Sequence, residues 1–346
     1  MTAPLSDLVV VDFSELLPGP FLTQNLAELG ARVIKIERPG GDPARTMSPG
    51  IFAAVNRDKE HLTVDLKDTS RRPEIEALLD SADIVIEGFR PGVMAKLGFG
   101  PNEVLARHPR IIYVSMSGYG QDGPEAKLPG HDNNYAARAG VLALAGKDPR
   151  IPDWLPGIPM ADLSASMYAL SSLLAAVHAR ERSGQGCYLD VSIRDCLAHW
   201  LNPRLGSFYD ASINTVGAQR AHVQLRPAYG TFECADGIMI TIAALEEHFW
   251  ARLVKVLDLV EWSGPEWSAY RQREEASERI NAALAAAVAT RKAAEVTELL
   301  VAAEVPVASV LSPLEALAAA RRRTDAGSDS FESTFLAFPV AFGVVL

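Results

Sequence analysis

The chain has 346 residues, of which 48% are hydrophobic and 22% charged, the balance of a soluble globular protein. Acidic residues outnumber basic ones, 43 to 33, and the net charge of −10 argues against a nucleic-acid binder, though a local cationic groove could still hold an anionic ligand. At this length one core tends to split, so two domains are expected.

The first third alternates strand and helix signals. Residues 8–13 are a β-branched apolar run, followed by the turn Leu17-Pro18-Gly19-Pro20 and a helical stretch to Gly30. Residues 32–37 read as a second strand ended by Pro39-Gly40-Gly41. Then come helix 71–81, strand 84–87, helix 102–108 and strand 111–117. Strands separated by helices predict a Rossmann-like α/β domain with a parallel sheet. Residues 162–182 form a long helix that stops at Arg180, Arg182 and Gly184, with a strand at 187–191 and another helix behind it. Near Arg226-Pro227 the pattern shifts. Residues 232–234 and 238–243 flank Asp236-Gly237 as a hairpin, and helices follow at 247–257 and 273–300. The expected organisation is a large domain over residues 1–226, a small α+β domain over 227–311, and a tail, 312–346, that returns to the first.

Cys187, Cys196 and Cys234 match no metal spacing, and an odd, sparse set suits a reducing cytoplasm. His131-Asp132 is no zinc helix, so no metal is expected. The first twelve residues carry Asp7 and Asp12 but no base, which argues against a signal peptide. No uncharged apolar run reaches the roughly 18 residues of a membrane span. A cytoplasmic location is expected.

A dinucleotide-binding dehydrogenase fits the strand–turn–helix layout, with Glu37 ending the second strand. Its glycines are missing, however. The turn reads Ser14-Glu15-Leu16-Leu17-Pro18-Gly19-Pro20, and two prolines remove amides that would cradle a pyrophosphate. Neither a nucleophile elbow nor a P-loop is present.

Seven segments carry a different pattern: LPGPFLTQNLAELGARVIKIERPGGDPAR (17–45), NRDKEHLTVDLK (56–67), DIVIEGFRPGVMAKLGFG (83–100), IIYVSMSGYGQDGP (111–124), GHDNNY (130–135), MADLSASMYAL (160–170) and PAYGTFECADG (227–237). In this order the chain resembles the family III coenzyme A-transferases (CaiB/BaiF-like), a group that also contains α-methylacyl-coenzyme A racemase. The resemblance implies an acyl-CoA thioester as substrate, no separate cofactor and an interlocked homodimer. It also implies that the nucleotide part of coenzyme A is held by Arg38, Arg45, Asn56, Arg57, Lys59, Phe89 and Arg90. Guanidinium groups suit phosphate through paired donors, although Arg38 and Arg90 could equally be surface ion-pair partners.

Transferases of the family use an aspartate nucleophile, and Asp162 stands at its position. They also carry a glycine-rich loop, where this chain has Ala243-Ala244-Leu245-Glu246-Glu247-His248-Phe249. Racemases pair the aspartate with a histidine in a Gly-His-Asp segment and support it with a glutamate. His131, Asp162 and Glu246 match those positions. Inverting a carbon beside a thioester needs an acid and a base on opposite faces, exchanging roles with substrate hand. Histidine ordinarily titrates near neutral pH, and burial raises a carboxyl into the same range. Amides at the start of the Asp162 helix could stabilise the enolate oxygen.

The expected activity is therefore a racemase acting on a 2-methyl-branched acyl-CoA, with His131 and Asp162 as the proton-transfer pair. Glu246, from the same chain or its partner, would orient His131. The alternatives are a coenzyme A-transferase with Asp162 as nucleophile, and an inactive binding protein that keeps the fold. Asp132 is read as fixing local geometry, and Met160, Met167 and Met239 as a possible wall for the acyl chain. Ser164-Ala165-Ser166 stands where relatives have glycines, which would narrow the acyl pocket. The last residues, 338–346, resemble the family's late return strand without its further tail, so a different docking of the C-terminus is expected.

Overall fold

Runs of Val and Ile that are apolar at successive positions suit strands covered on both faces, and the first unit is built from them. Strands β1 (Val9–Asp12), β2 (Arg32–Glu37), β3 (Glu60–Thr63), β4 (Ile84–Glu87), β5 (Ile112–Ser117) and β6 (Tyr188–Ser192) make one sheet in the order β3-β2-β1-β4-β5-β6. Every pairing is parallel, with Val10 beside both Val33 and Ile84, Ile84 beside Ile112, and Val114 beside Leu189. This computed structural model describes residues 3–146, 157–324, 335–336 and 338–340.

Side-chain alternation splits the interior into two cores. Val10, Ile84, Ile86, Ile112 and Val114 face the helices Pro18–Glu28 and Met160–Ser183, while Val11, Ile34, Ile36, Val85 and Tyr113 meet Ile75, Leu79 and Val104 on the other side. Ala161, Ala165, Ala169 and Leu173 recur every four residues along the long helix and are buried in the first core. That stripe lets the helix lie close to the sheet, and Leu173→Ala should cost about 2–5 kcal/mol. By length and composition alone the same helix could cross a membrane. Here its apolar stripe is buried in the core, and its last turn ties Arg180 to Asp83 at 3.0 Å.

The other unit contains strands β7 (Tyr229–Glu233), β8 (Met239–Ala243) and β9 (Val307–Ser309), antiparallel in that order. Ile240, Ile242, Trp250, Leu253, Leu284, Val296 and Leu300 form its core with the helices Glu247–Val256, Ser277–Val288 and Ala293–Ala302. The sequence reads 273–300 as one helix, whereas the structure has three, beginning with Tyr270–Glu275. The last break is held by the hairpin turn: Arg291 O accepts from Ala235 N at 2.8 Å, and the Asp236 carboxylate takes the Ala293 amide at 3.3 Å.

The units divide at Ala211 and Ser212, ahead of the expected change at Pro227, and the second runs on to Leu336. Contacts explain the shift. His222, in the helix Val216–Gln224, lies 3.6 Å from Glu274, and Asn281 brackets the next turn by bonding Arg226 O and Ala228 N, both at 2.9 Å. The helix Pro313–Thr324 also belongs to this unit. Of the returning tail, Phe338 packs against the first core and its amide donates to Glu28. The rest of the expected return strand, 341–346, lies outside the described residues.

Candidate active site

Parallel sheets bind ligands beyond the carboxyl ends of their strands, where the strand order reverses. Here that point lies between β1 and β4. A cavity of about 620 Å³ opens there, walled by residues 14–16, 18 and 19 after β1, 88–91 after β4, 116–118 at the end of β5, and by Gly130, His131, Asn134, Tyr135 and Asp162. His131 and Asp162, far apart in sequence, thus face one space.

Asp162 sits in the first turn of the helix Met160–Ser183, whose N-cap, Pro159, offers no side-chain acceptor. Asp132 supplies it from a distance: its Oδ1 accepts from the amides of Ala161 at 2.7 Å and Asp162 at 3.1 Å. Those two amides are therefore already spent, which corrects the expectation that they would serve an enolate oxygen. Burial, with the charge of Asp132 as second cause, pushes the Asp162 carboxyl up to about 7. His131 is exposed and precedes the helix Asp132–Arg138, with its amide bonded to Asn134 Oδ1 at 3.1 Å.

Two wall features carry no signal by residue type. Tyr135 donates to Gly130 O at 2.5 Å and meets Tyr119 edge-on, its ring centroid 5.3 Å away. Burial, then the charge of Asp162, pushes its hydroxyl up to about 12, so it stays a donor at neutral pH. A Cβ at Gly118 would stand 2.4 Å from this ring and one at Gly130 2.7 Å, so both positions need glycine. The other feature is Leu16, held at φ +66°, a left-handed conformation that costs a non-glycine residue about 1 kcal/mol or more. A buried ion pair clamps it: Lys35 Nζ and Asp42 Oδ2 are 3.0 Å apart, Lys35 donates to Ser14 O at 2.7 Å, and Asp42 accepts from Leu16 N at 3.2 Å. One turn beyond Asp162, Ser166 Oγ donates to Pro18 O at 2.6 Å, which seats this segment beside the helix.

Among the residues expected to hold the nucleotide, Phe89 and Arg90 line the cavity, and Arg90 is exposed with no ion-pair partner among the described residues. Arg38, also exposed, lies 3.3 Å from Glu15, which is itself part of the wall. The others are engaged in the fold. Arg45 makes paired 2.7 Å bonds to Glu37 and lies over the Phe52 ring at 4.0 Å. Arg57 pairs with Glu28. Asn56 and Lys59 are buried. Lys59 Nζ bonds Thr23 Oγ1 at 2.6 Å, Asn56 Oδ1 at 2.9 Å and Pro20 O at 3.0 Å, with Asp12 at 3.4 Å. Burial brings that amine down to about 7. In this structure it is a strut beneath the first turn.

Glu246 belongs to the second unit, where it precedes the helix Glu247–Val256. None of the three methionines lines the cavity. No His, Cys, Asp and Glu group able to hold a metal occurs among the described residues.

The sequence profile of CoA-transferase family III covers residues 5–333. The chain is 33% identical over 321 residues to the acetyl-CoA:oxalate CoA-transferase of Acetobacter aceti, an alignment covering 90% of this chain and 82% of that one. It is 34% identical to the alpha-methylacyl-CoA racemase of Homo sapiens over 74% of its own length, but spans only 65% of that relative. A CAIB/BAIF family protein from Brucella suis superposes with a TM-score of 0.83 at 26% identity, over 99% of this chain and 93% of the other. The chain belongs to CoA-transferase family III.

Proposed function

We propose that the cavity receives an acyl-CoA thioester and that Asp162 and His131 move the α-proton of its acyl group, inverting that carbon. The observation that carries this reading is a carboxyl raised to about 7 in the same cavity as an imidazole. For one hand of substrate, Asp162 takes the proton, the C–H electron pair moves into the carbonyl to give an enolate, and His131 returns a proton to the opposite face. For the other hand the roles reverse. A 2-methyl-branched acyl group is the default substrate, since inversion there is detectable and chemically useful. Glu246 is the proposed orienting carboxylate for His131, and Arg90, with Arg38 at the rim, the proposed phosphate contacts. No separate cofactor is needed for this chemistry.

The test uses a single enantiomer of a 2-methylacyl-CoA with no free acid added. Chiral analysis should show loss of optical purity, reduced about 100-fold or more by His131→Ala or Asp162→Ala. Glu246→Ala should lose about tenfold, the scale of an orienting partner. Retained optical purity with active protein would rule the racemase out.

A second reading is favoured by relatives named for CoA transfer. Ionised Asp162 attacks the thioester carbonyl and the coenzyme A thiolate leaves, forming a mixed anhydride. The thiolate then attacks the aspartyl carbonyl, releasing the acid and leaving an aspartyl thioester that a second acid opens. Hydroxylamine added during turnover should trap Asp162 as a hydroxamate only if this path operates.

A further inference from the structure

Glu87 closes β4, and its side chain is 3% exposed. The titratable groups facing it are Asp190 and Tyr188 from β6 and Tyr113 from β5, and none of these is a cation. A buried carboxyl without a cation is costly unless it is hydrogen-bonded. Its Oε2 accepts from the Phe89 amide at 2.8 Å. The next residues, Gly88, Phe89, Arg90 and Pro91, all line the cavity. At its far end this loop is closed by its own backbone, with Val93 N bonded to Arg90 O at 3.1 Å. At its near end the Glu87 carboxylate takes the Phe89 amide.

We propose that Glu87 is a positioning residue: its buried carboxyl holds the Phe89 amide and so sets the loop that turns Phe89 and Arg90 toward coenzyme A. The proposal rests on the acyl-CoA reading of the cavity. It gives the carboxyl a purpose that sheet stability alone does not, because an apolar side chain would pack there at lower cost. It also predicts a pH effect. Burial, opposed by the Ser115 hydroxyl and then the Phe89 amide and reinforced by Asp190, raises Glu87 to about 7. The ionised form is the stronger acceptor, so the loop is held more firmly as pH rises through that value.

The test is calorimetric titration of coenzyme A into the whole protein. Glu87→Met fills the space without an acceptor, whereas Glu87→Gln keeps one and cannot ionise. The Met variant should bind about tenfold more weakly, and the Gln variant within about twofold of wild type. Between about pH 6 and about pH 8, wild-type affinity should rise relative to the Gln variant. Wild-type affinity in the Met variant, or equal weakness in both variants, overturns the proposal. Thermal melting shows whether each variant is folded, and if Met is not, the pH comparison with Gln decides alone. Wild-type protein that binds no coenzyme A overturns the acyl-CoA reading itself, and this proposal with it.

Discussion

Asp162 shows how one residue is tuned by position. As an N-terminal helix residue it would ordinarily ionise easily, but burial and the neighbouring Asp132 reverse that. With one enantiomer, where Asp162 is the base, the rate should rise with pH through about 7; with the other, where it is the acid, the rate should fall through the same value. Rate–pH profiles measured separately for the two hands check this. Asp132→Asn keeps an acceptor for the Ala161 and Asp162 amides while removing the charge, so both limbs should move to lower pH. Asp132→Ala should instead cost about 1 kcal/mol of stability as a lost cap, measured by urea unfolding. Asn56 and Lys59 mark where residue type misleads. A lysine in a basic motif suggests a phosphate ligand, but only the fold reveals that its amine is surrounded by Asp12, Thr23, Asn56 and Pro20.

At the scale of elements, Gly118→Ala would push a methyl into the Tyr135 ring and should cost about 1–3 kcal/mol, with a matching loss of turnover, by melting and rate measurements on the same preparation. Strands β2 and β4 were legible to the residue, because runs of Val and Ile buried on both faces leave few alternatives. Strand β3 was not: Glu60, His61, Leu62 and Thr63 lie on the sheet edge, mostly exposed, with no apolar rhythm to read. Strand β9 is as short and as exposed. The break between Val288 and Ala293 was hidden because alanine favours continuing a helix, and a carboxylate from the distant Asp236 decides otherwise. That His131, Asp162, Phe89 and Arg90 would share one cavity was legible only through the family resemblance. The Leu16 clamp, the Tyr135 seat and the role of Asp132 as a remote cap depend on contacts between segments that no local pattern announces.

For the whole molecule, the raised carboxyls oppose stability at neutral pH. Asp162 and Glu87 bind a proton more tightly folded than unfolded, so their contribution is present below their ordinary values of 3.8 and 4.5 and is lost as pH rises to about 7. Glu37 acts the other way. Burial opposes its ionisation, but the Arg45 bonds, the Asp42 amide and His61 outweigh it and bring it to about 2, so its contribution disappears only in acid. Asp162→Asn should therefore melt above wild type at about pH 8 and close to it at about pH 4, a calorimetric comparison that activity does not enter. Movement of the α-proton is tested most directly with an isotope. The protein is incubated in heavy water with a 2-methylacyl-CoA and no added acid, and α-carbon deuterium is followed by mass spectrometry. Deuterium entering at the α-carbon, and failing to enter with His131→Ala or Asp162→Ala, is the predicted result. No uptake, with coenzyme A passing to an added carboxylic acid through an Asp162 adduct, would contradict it and establish the transferase.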